Sequence, residues 1–406
     1  MAQDYDVIAI GGGLAGAALS KKLAESGLHV LVLEREFAFR DRVRGEQMHC
    51  WGVAEAQTLG LYDLLLETCG HEVRYWSQQF VGFSEPRERD LVMSTPHRAG
   101  SLNFYHPDMQ SVVLDAAARA GATVRRGVRV SGLACGSRCS VCVHEDGNGD
   151  RIYRARLLVG ADGRNSACRR WGGFRVERDT EGMIISGLLL KGLRAPEDRL
   201  ISFLNPRRGM LSLTVPIGQG RFRTYVCIHK SSREFSRRPI SGRAGISDFV
   251  AASIAAGAPA SWYEGAQAAG PLASFNAADS WVMHPHREGM VLIGDAAASN
   301  DPSFGCGLSL TLRDVRVLAE HLLATDDWLG AADAYAAEHD RHYGVIHRLT
   351  DWARELFYNL NPAAISDRER ALSRLVADRS RAVDIIGLGP EFPADESHRR
   401  RFLSED

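Results

Sequence analysis

The chain has 406 residues, 45% of them hydrophobic, and a formal net charge of −1. That length exceeds what one hydrophobic core usually organises, so two domains and a large buried interior are expected. A near-neutral charge excludes a nucleic acid or a membrane surface as a partner held by bulk electrostatics.

Residues Asp6 to Ile10 form a short apolar strand pattern that enters Gly11-Gly12-Gly13-Leu14-Ala15-Gly16, a G-x-G-x-x-G turn. Leu14, Ala17, Ala18, Leu23 and Ala24 then repeat at helical spacing up to Gly27, and His29 to Leu33 makes a second strand ending in Glu34. In such a unit Gly11 permits the tight turn, Gly13 lets backbone approach a pyrophosphate, and Gly16 lets the helix pack close to the strand. The helix N-terminus offers unpaired N–H groups and a partial positive charge to phosphates. Glu34 stands where a carboxylate accepts hydrogen bonds from an adenosine ribose, which favours FAD or NAD over NADP at this turn.

A polar, arginine-rich segment from Arg35 to Glu46 follows, then helical patterns at Gly52 to Leu61 and Tyr62 to Glu67. Between Val73 and Asn103 the chain turns to short strand-like pieces, among them Phe80-Val81-Gly82-Phe83 and Leu91-Val92-Met93. His106-Pro107-Asp108 opens a helix that Gly121 ends. Val128 to Val130 and Leu157 to Val159 read as strands, the second running into Gly160-Ala161-Asp162-Gly163-Arg164. From Met183 to Ile228 apolar and polar residues alternate between turn signals, which predicts an antiparallel sheet and the wall of a substrate pocket, with Phe203, Phe222 and Tyr225 as wall candidates. Met290 to Ile293 is another apolar strand, ending in Gly294-Asp295; a loop to Gly307, a helix and a helical C-terminus follow.

The expected class is therefore α/β: a Rossmann-like nucleotide domain (1–72, 104–175 and 284–330) interleaved with an antiparallel-sheet domain (73–103 and 176–283), then a helical region (331–406). Residues 1–6 lack the basic and apolar regions of a signal peptide, and no run reaches the length of a membrane span. A cytoplasmic protein is expected, with its eight cysteines reduced. Cys135, Cys139 and Cys142 match an iron–sulfur spacing, but residues three apart on a strand face opposite ways, so a hairpin and no metal are expected.

Three strand ends thus carry nucleotide-site residues in order: Gly11 to Gly16, Gly160 to Arg164, and Gly294 to Ala297. In this the chain resembles, over essentially its whole length, the FAD-dependent monooxygenases of the para-hydroxybenzoate hydroxylase type. The resemblance implies that Gly11, Gly13, Leu14, Ala15 and Gly16 cradle FAD, that Glu34 with Arg35 beside it meets the adenosine ribose, and that Arg44 lies near flavin and pyrophosphate. Gln110 would reach the ribityl chain, backbone near Val130 the adenine, and Asp295 a ribityl hydroxyl. Asp162 would serve the nucleotide side, where the family binds NAD(P)H. Pro302, Gly305, Gly307 and Leu308 would pack on the isoalloxazine, with helix N–H groups near its pyrimidine edge.

The implied reaction takes NAD(P)H and O2 through a C4a-hydroperoxyflavin to hydroxylate, epoxidise or insert oxygen into a hydrophobic, aromatic or polycyclic molecule, in a setting such as secondary metabolism. Only one dinucleotide fingerprint is present, so NAD(P)H binds transiently or a partner flavin reductase supplies reduced flavin. No catalytic residue is assigned; Arg44 and His49 are candidates, although a buried structural His49 is the stronger reading, and His284 and His286 read as packing or surface residues. The halogenase W-x-W-x-I-P segment is absent. A geranylgeranyl-reductase-like flavoprotein and a flavin-binding protein without turnover are the alternatives; oligomeric state and substrate are not encoded in any motif.

Overall fold

The computed structural model describes residues 3–405 except 137, 146–148, 181 and 234–239. At its centre the strand Gln3–Ile10 lies between Gly149–Gly160 and Val30–Glu34, parallel to both. Thr123–Arg126 extends this sheet beyond Val30–Glu34, and Met290–Leu292 beyond Gly149–Gly160, again parallel. Because side chains alternate along a strand, Val7 and Ala9 face one layer while Ile8 and Ile10 face the other. The first layer buries helices Leu14–Glu25, His106–Arg119 and Gly307–Ala324 through Leu23, Val113 and Leu318. The second meets the hairpin Arg129–Ala134 and Cys139–Glu145 through Val141 and Val143. Burial on both faces explains the unbroken apolar runs of the parallel strands. On the hairpin Cys139 is buried and Cys142 half-buried on the opposite face, and all eight cysteines are free thiols.

A second sheet runs in the order Gln267–Ala268, Met183–Lys191, Arg221–His229, Met210–Pro216, Arg199–Asn205, Tyr75–Phe80, Arg87–Asp90, with Ala273–Ala277 also on Met183–Lys191. One pair departs from the expected antiparallel pattern: Arg199–Asn205 runs parallel to Tyr75–Phe80. These strands come from distant segments joined by a long crossover, so no hairpin dictates their direction. Leu91-Val92-Met93, read as strand, is a helical turn, Leu91–Ser94. Asp90 starts it by accepting the Met93 N–H at 3.1 Å, and Arg74 holds Asp90 at 2.6 Å.

The C-terminal helices Trp328–Tyr358, Pro362–Ala377 and Glu396–Leu403 cover one face of the second sheet. Trp352, Leu356, Leu372 and Phe402 share a core there with Phe80, Leu204 and Val215.

The two sheets are joined by ion pairs as well as packing. Arg223, on Arg221–His229, is fully buried; its Nε donates to Glu46 at 2.9 Å and its Nη2 to Glu46 at 3.0 Å and Asp41 at 2.7 Å. Glu46 also accepts the N–H of His106 at 3.1 Å, which ties in the start of helix His106–Arg119. Burial pushes the Glu46 carboxyl up, against the pull of Arg223. Removing one partner would strand a buried charge, so Arg223→Met should cost about 3–5 kcal/mol, read as a lower urea midpoint with unchanged slope. A loss below about 1 kcal/mol would show that water or rearrangement replaces the pair.

Candidate functional site

A cavity of ≈ 630 Å³ opens between the C-terminal ends of the parallel strands and one face of the second sheet. Ile10, Leu33, Ala161 and Ile293 end or follow those strands, and the loops behind them form its walls. Open parallel sheets place ligands at this edge because the loops and helix N-termini converge there.

The glycine turn shapes one end. Gly11 has φ 107°, and a Cβ there would collide with the Ala161 carbonyl; a Cβ on Gly16 would collide with the Gly11 carbonyl. Gly16 therefore lies behind the cavity as a packing position, whereas Gly11, Gly13, Leu14 and Ala15 line it. Above Gly13 the nearest atom to a built Cβ is Gln110 Nε2, at 3.5 Å, which leaves room for a ligand to approach backbone. Glu34 is buried and accepts N–H bonds from Gly12 at 2.7 Å and Glu36 at 2.8 Å, so one oxygen is fixed on the glycine turn and the other on the backbone just beyond its own strand. Arg35 lies exposed at the rim beside Glu36, and Gln110 and Val130 line the same end.

Asp162 caps a helix with one oxygen and turns the other to the cavity. Its Oδ2 accepts the Ala167 and Cys168 N–H groups at 2.7 and 3.1 Å, capping the helix Ala167–Trp171. Its Oδ1 is buried without a partner and belongs to the cavity wall. Arg169 fastens this helix to the third loop, donating to the carbonyls of Ala296 and Asp295, each at 2.7 Å. Burial pushes the Asp295 carboxyl up, offset by Arg164, Arg44 and Arg169, and burial pulls Arg44 down, offset by Asp295. Arg44 and Asp295 thus face one cavity with complementary charge.

Pro302, Gly305, Gly307 and Leu308 line the far wall. Gly305 takes the left-handed conformation, φ 70°, between the turn Pro302–Phe304 and the helix Gly307–Ala324. His49 does not line the cavity; it is buried behind Gly305, where Cβ addition would approach its ring to 3.2 Å. Its Nε2–H donates to the Phe304 carbonyl at 2.8 Å, and its Nδ1 accepts from Gln47 Nε2 at 3.2 Å, which one neutral tautomer satisfies completely. Burial lowers its pKa to about 4 from 6.5. The unfolded chain then binds the extra proton, so stability is retained above pH 6.5 and falls as pH drops toward 4, by up to about 3 kcal/mol. Denaturation midpoints across that range should fall further for the wild type than for His49→Gln, which cannot titrate; parallel curves would show that His49 has another escape from its charge.

The second sheet supplies an apolar wall. Phe275, Ile185, Cys227 and Leu211 are successive cross-strand partners, and Leu213 pairs with Tyr225 one row on. All six line the cavity. Of the three expected aromatic wall residues only Tyr225 does so; Phe222, three residues away on the strand, faces the opposite side with Phe249, and Phe203 packs on Trp262. The Tyr225 hydroxyl donates to the Arg44 carbonyl at 2.7 Å, so it is engaged in shaping the loop. Burial raises the Cys227 thiol well above its ordinary value, leaving it a neutral wall atom.

Sequence reasoning missed Val43, His106, Arg129 and Asn300, which also line the cavity. His106 was legible only as a helix start; its Nδ1 bonds the Gly45 carbonyl at 2.8 Å. Arg164 was named as the end of its motif without a role; it lines the cavity and reaches the Ala278 carbonyl at 3.2 Å.

An open cradle over Gly13, a fixed carboxylate at Glu34 and an orphaned buried oxygen on Asp162 fit a dinucleotide. The comparisons agree. The profile of the FAD binding domain family matches residues 4–343. A rifampicin monooxygenase of Streptomyces venezuelae is 28% identical over 351 residues, 82% of this chain and 68% of that protein. The ubiquinone hydroxylase UbiL of Rhodospirillum rubrum is 26% identical over 430 residues, 96% of this chain and 91% of that protein. The p-nitrophenol 4-monooxygenase PnpA of Pseudomonas putida has the same fold, with TM-score 0.75 and 17% identity over 100% of this chain and 98% of that one. The chain belongs to the FAD-binding-domain family and is an FAD-dependent monooxygenase of the para-hydroxybenzoate hydroxylase type.

Proposed function

We propose that this monooxygenase oxygenates an uncharged, hydrophobic, aromatic or polycyclic small molecule held against Ile185, Leu211, Leu213, Tyr225, Cys227 and Phe275. The observation that carries this reading is chemical: those six side chains include no carboxylate, imidazole or ammonium group. A charged substrate would lose hydration against these side chains at a cost of several kcal/mol unless it reached the cavity's arginines, of which Arg44 and Arg164 already face Asp295. Without a base on that wall, the substrate must bring its own electron-rich carbon, as a hydroxyarene or an alkene does.

FAD, when bound, accepts hydride from NAD(P)H and activates O2. In this reading residues 1–72, 104–175 and 284–330 hold it, and 73–103 with 176–283 hold the substrate. Gly11, Gly13, Leu14 and Ala15 face its pyrophosphate, Gly16 keeps the helix against the turn, and Glu34 with Arg35 meets its ribose. Gln110 and Asp295 meet the ribityl chain, and Arg44, Asp162 and Val130 complete the nucleotide walls. Pro302, Gly305, Gly307 and Leu308 face the ring, with N–H groups at the start of helix Gly307–Ala324 favouring negative charge. His49 supports that loop from behind, and the apolar wall excludes water from the reacting face. Arg44 orients and balances charge; it takes no proton.

The test is oxidation of NADH and of NADPH by the purified protein, with and without neutral hydroxyarenes and polycyclic quinols, under air and then 18O2. Substrate-stimulated oxidation with one 18O atom in the product supports the reading. Product formed without oxygen would move the chain to the geranylgeranyl-reductase-like alternative, and no nucleotide oxidation with any substrate would leave a passive flavin protein. Oxidation only after a flavin reductase is added would identify the partner-dependent route. Within this reading Glu34→Ala should weaken FAD about 10- to 100-fold, since a charge-assisted hydrogen bond is lost. Leu213→Arg should keep the bound flavin's spectrum while abolishing substrate stimulation; stimulation that survives would place the substrate on another wall.

A further inference from the structure

Outside the cavity, three groups of histidine and carboxylate side chains converge among the described residues. Asp314, His339 and His342 are fully buried: Asp314 Oδ1 accepts from the two imidazoles at 2.9 and 3.1 Å, and its Oδ2 takes the Gly294 N–H at 2.8 Å. That group is closed to a hydrated ion. In the second, Asp179, His347 and Asp351, a cation is already in place, since Arg354 Nη2 lies 2.9 Å from Asp179. The third, His284, His286 and Asp333, is open to solvent, and none of its ion pairs contains arginine or lysine.

We propose that His284, His286 and Asp333 bind one divalent transition-metal ion of the zinc type, which fastens the turn before strand Met290–Leu292 to the long helix Trp328–Tyr358. His284 Nε2 lies 2.7 Å and His286 Nδ1 3.8 Å from the same oxygen, Asp333 Oδ1. Donors about 2.0–2.2 Å from a tetrahedral zinc stand roughly 3.4 Å apart. The two separations bracket that value and all three donor atoms lie within 4.8 Å of one another, so the ion needs side-chain shifts of less than about 1 Å. Side-chain exposures of 43% for His284 and 67% for Asp333 leave a path for entry and room for a water as fourth ligand.

Two features hold the donors in place before any ion arrives. His286 belongs to the strand pair His286–Arg287 with Met290–Val291, which fixes its backbone. His284 has φ 52°, a left-handed conformation that is costly for a non-glycine residue, and Asp340 supports it by accepting its N–H at 2.9 and 3.1 Å. Asp340 Oδ2 is also 4.0 Å from His284 Nδ1, on the far side of the ring from the donor atom. Asp340 therefore holds His284 through its backbone, with its charge standing within ion-pair range of the ring. Asp333 and Asp340 are seven residues apart on one helix, two turns on the same face, so a single element presents both the ligand and its support. Two imidazoles and a carboxylate suit zinc or its neighbours better than magnesium or calcium, which prefer all-oxygen sets.

The competing account is a simple His284–Asp333 ion pair, which requires no metal. The experiment uses the full chain with FAD bound, stripped with a chelator and titrated with zinc chloride at neutral pH, read by calorimetry and thermal denaturation. One zinc per chain and a raised Tm are expected. His284→Gln and Asp333→Asn should each abolish binding, Asp340→Ala, which removes the acceptor for the His284 N–H, should weaken it about tenfold, and His347→Gln should leave it unchanged. No zinc binding by the wild type, binding retained in both His284→Gln and Asp333→Asn, or loss in His347→Gln would each overturn the assignment.

Discussion

The buried contact between Arg223 and Glu46 is the constraint on which the cavity depends. The walls of the cavity come from two sheets with separate cores, and apolar packing alone would let them slide. Arg223 arrives from the second sheet, Glu46 and Asp41 from the loop leaving the first, and His106 from the helix between them. Charge-assisted bonds of fixed geometry set the distance between sheet and loop. The loop between these anchors carries Arg44 and Val43 into the cavity, and Gly187 leaves the space that Val43 fills. Desolvating these charges is expensive, so the arrangement is better understood as specifying one relative placement of the sheets than as adding stability.

That placement brings a polar wall and an apolar wall onto one cavity. The parallel sheet ends in glycine turns, carboxylates and a helix N-terminus, features that recognise phosphate, ribose and developing negative charge. The second sheet turns Ile185, Leu211, Leu213, Tyr225 and Cys227 inward, while Leu188, Met210, Phe222 and Val226 of the same strands pack in a separate core on its other face. Arg169 couples the second and third loops of the parallel sheet through the Ala296 and Asp295 carbonyls. The second and third loops are therefore held together by two short polar bonds.

The parts of this arrangement legible in the sequence are those with a local cause. Gly11 to Gly16, the Pro107 helix start and the apolar runs ending in Asp162 and Asp295 each announce their conformation within a few residues. The α/β class and the flavin family followed from their order. What stayed hidden depends on contacts far apart in the chain. The Leu91–Ser94 turn needs Arg74 to hold Asp90, and the parallel pairing of Tyr75–Phe80 with Arg199–Asn205 joins segments over 120 residues apart. Phe222 and Tyr225, three apart on Arg221–His229, face opposite ways, and which of the two looks inward is a question of register that only the strand's neighbours settle. His49 is different: its closeness to Arg44 makes it a candidate, but a buried structural histidine is the stronger reading, and the strand Gln47–Met48 does turn it behind the loop.

The helical C-terminus contributes to the site through a chain of buried acids. Asp301 Oδ1 accepts the N–H and hydroxyl of Ser303 at 2.9 and 2.8 Å, which shapes the turn beside Pro302. Asp279 in turn accepts the Asp301 N–H at 2.6 Å, Asn300 Nδ2 at 2.9 Å and the Tyr343 hydroxyl at 3.0 Å. Two carboxylates so close repel each other, and burial together with Asp301 pushes Asp279 up to about 6. Arg354, 4.0 Å from Asp301, offsets part of that repulsion. Tyr343 and Arg354 both lie on Trp328–Tyr358, so the long helix supplies a hydrogen bond and a positive charge beneath the cavity wall. From the other side His49 holds the Phe304 carbonyl. The wall at Pro302 to Gly305 is thus held from two sides, by His49 and, through Asp279 and Asp301, by a helix that lines no part of the cavity.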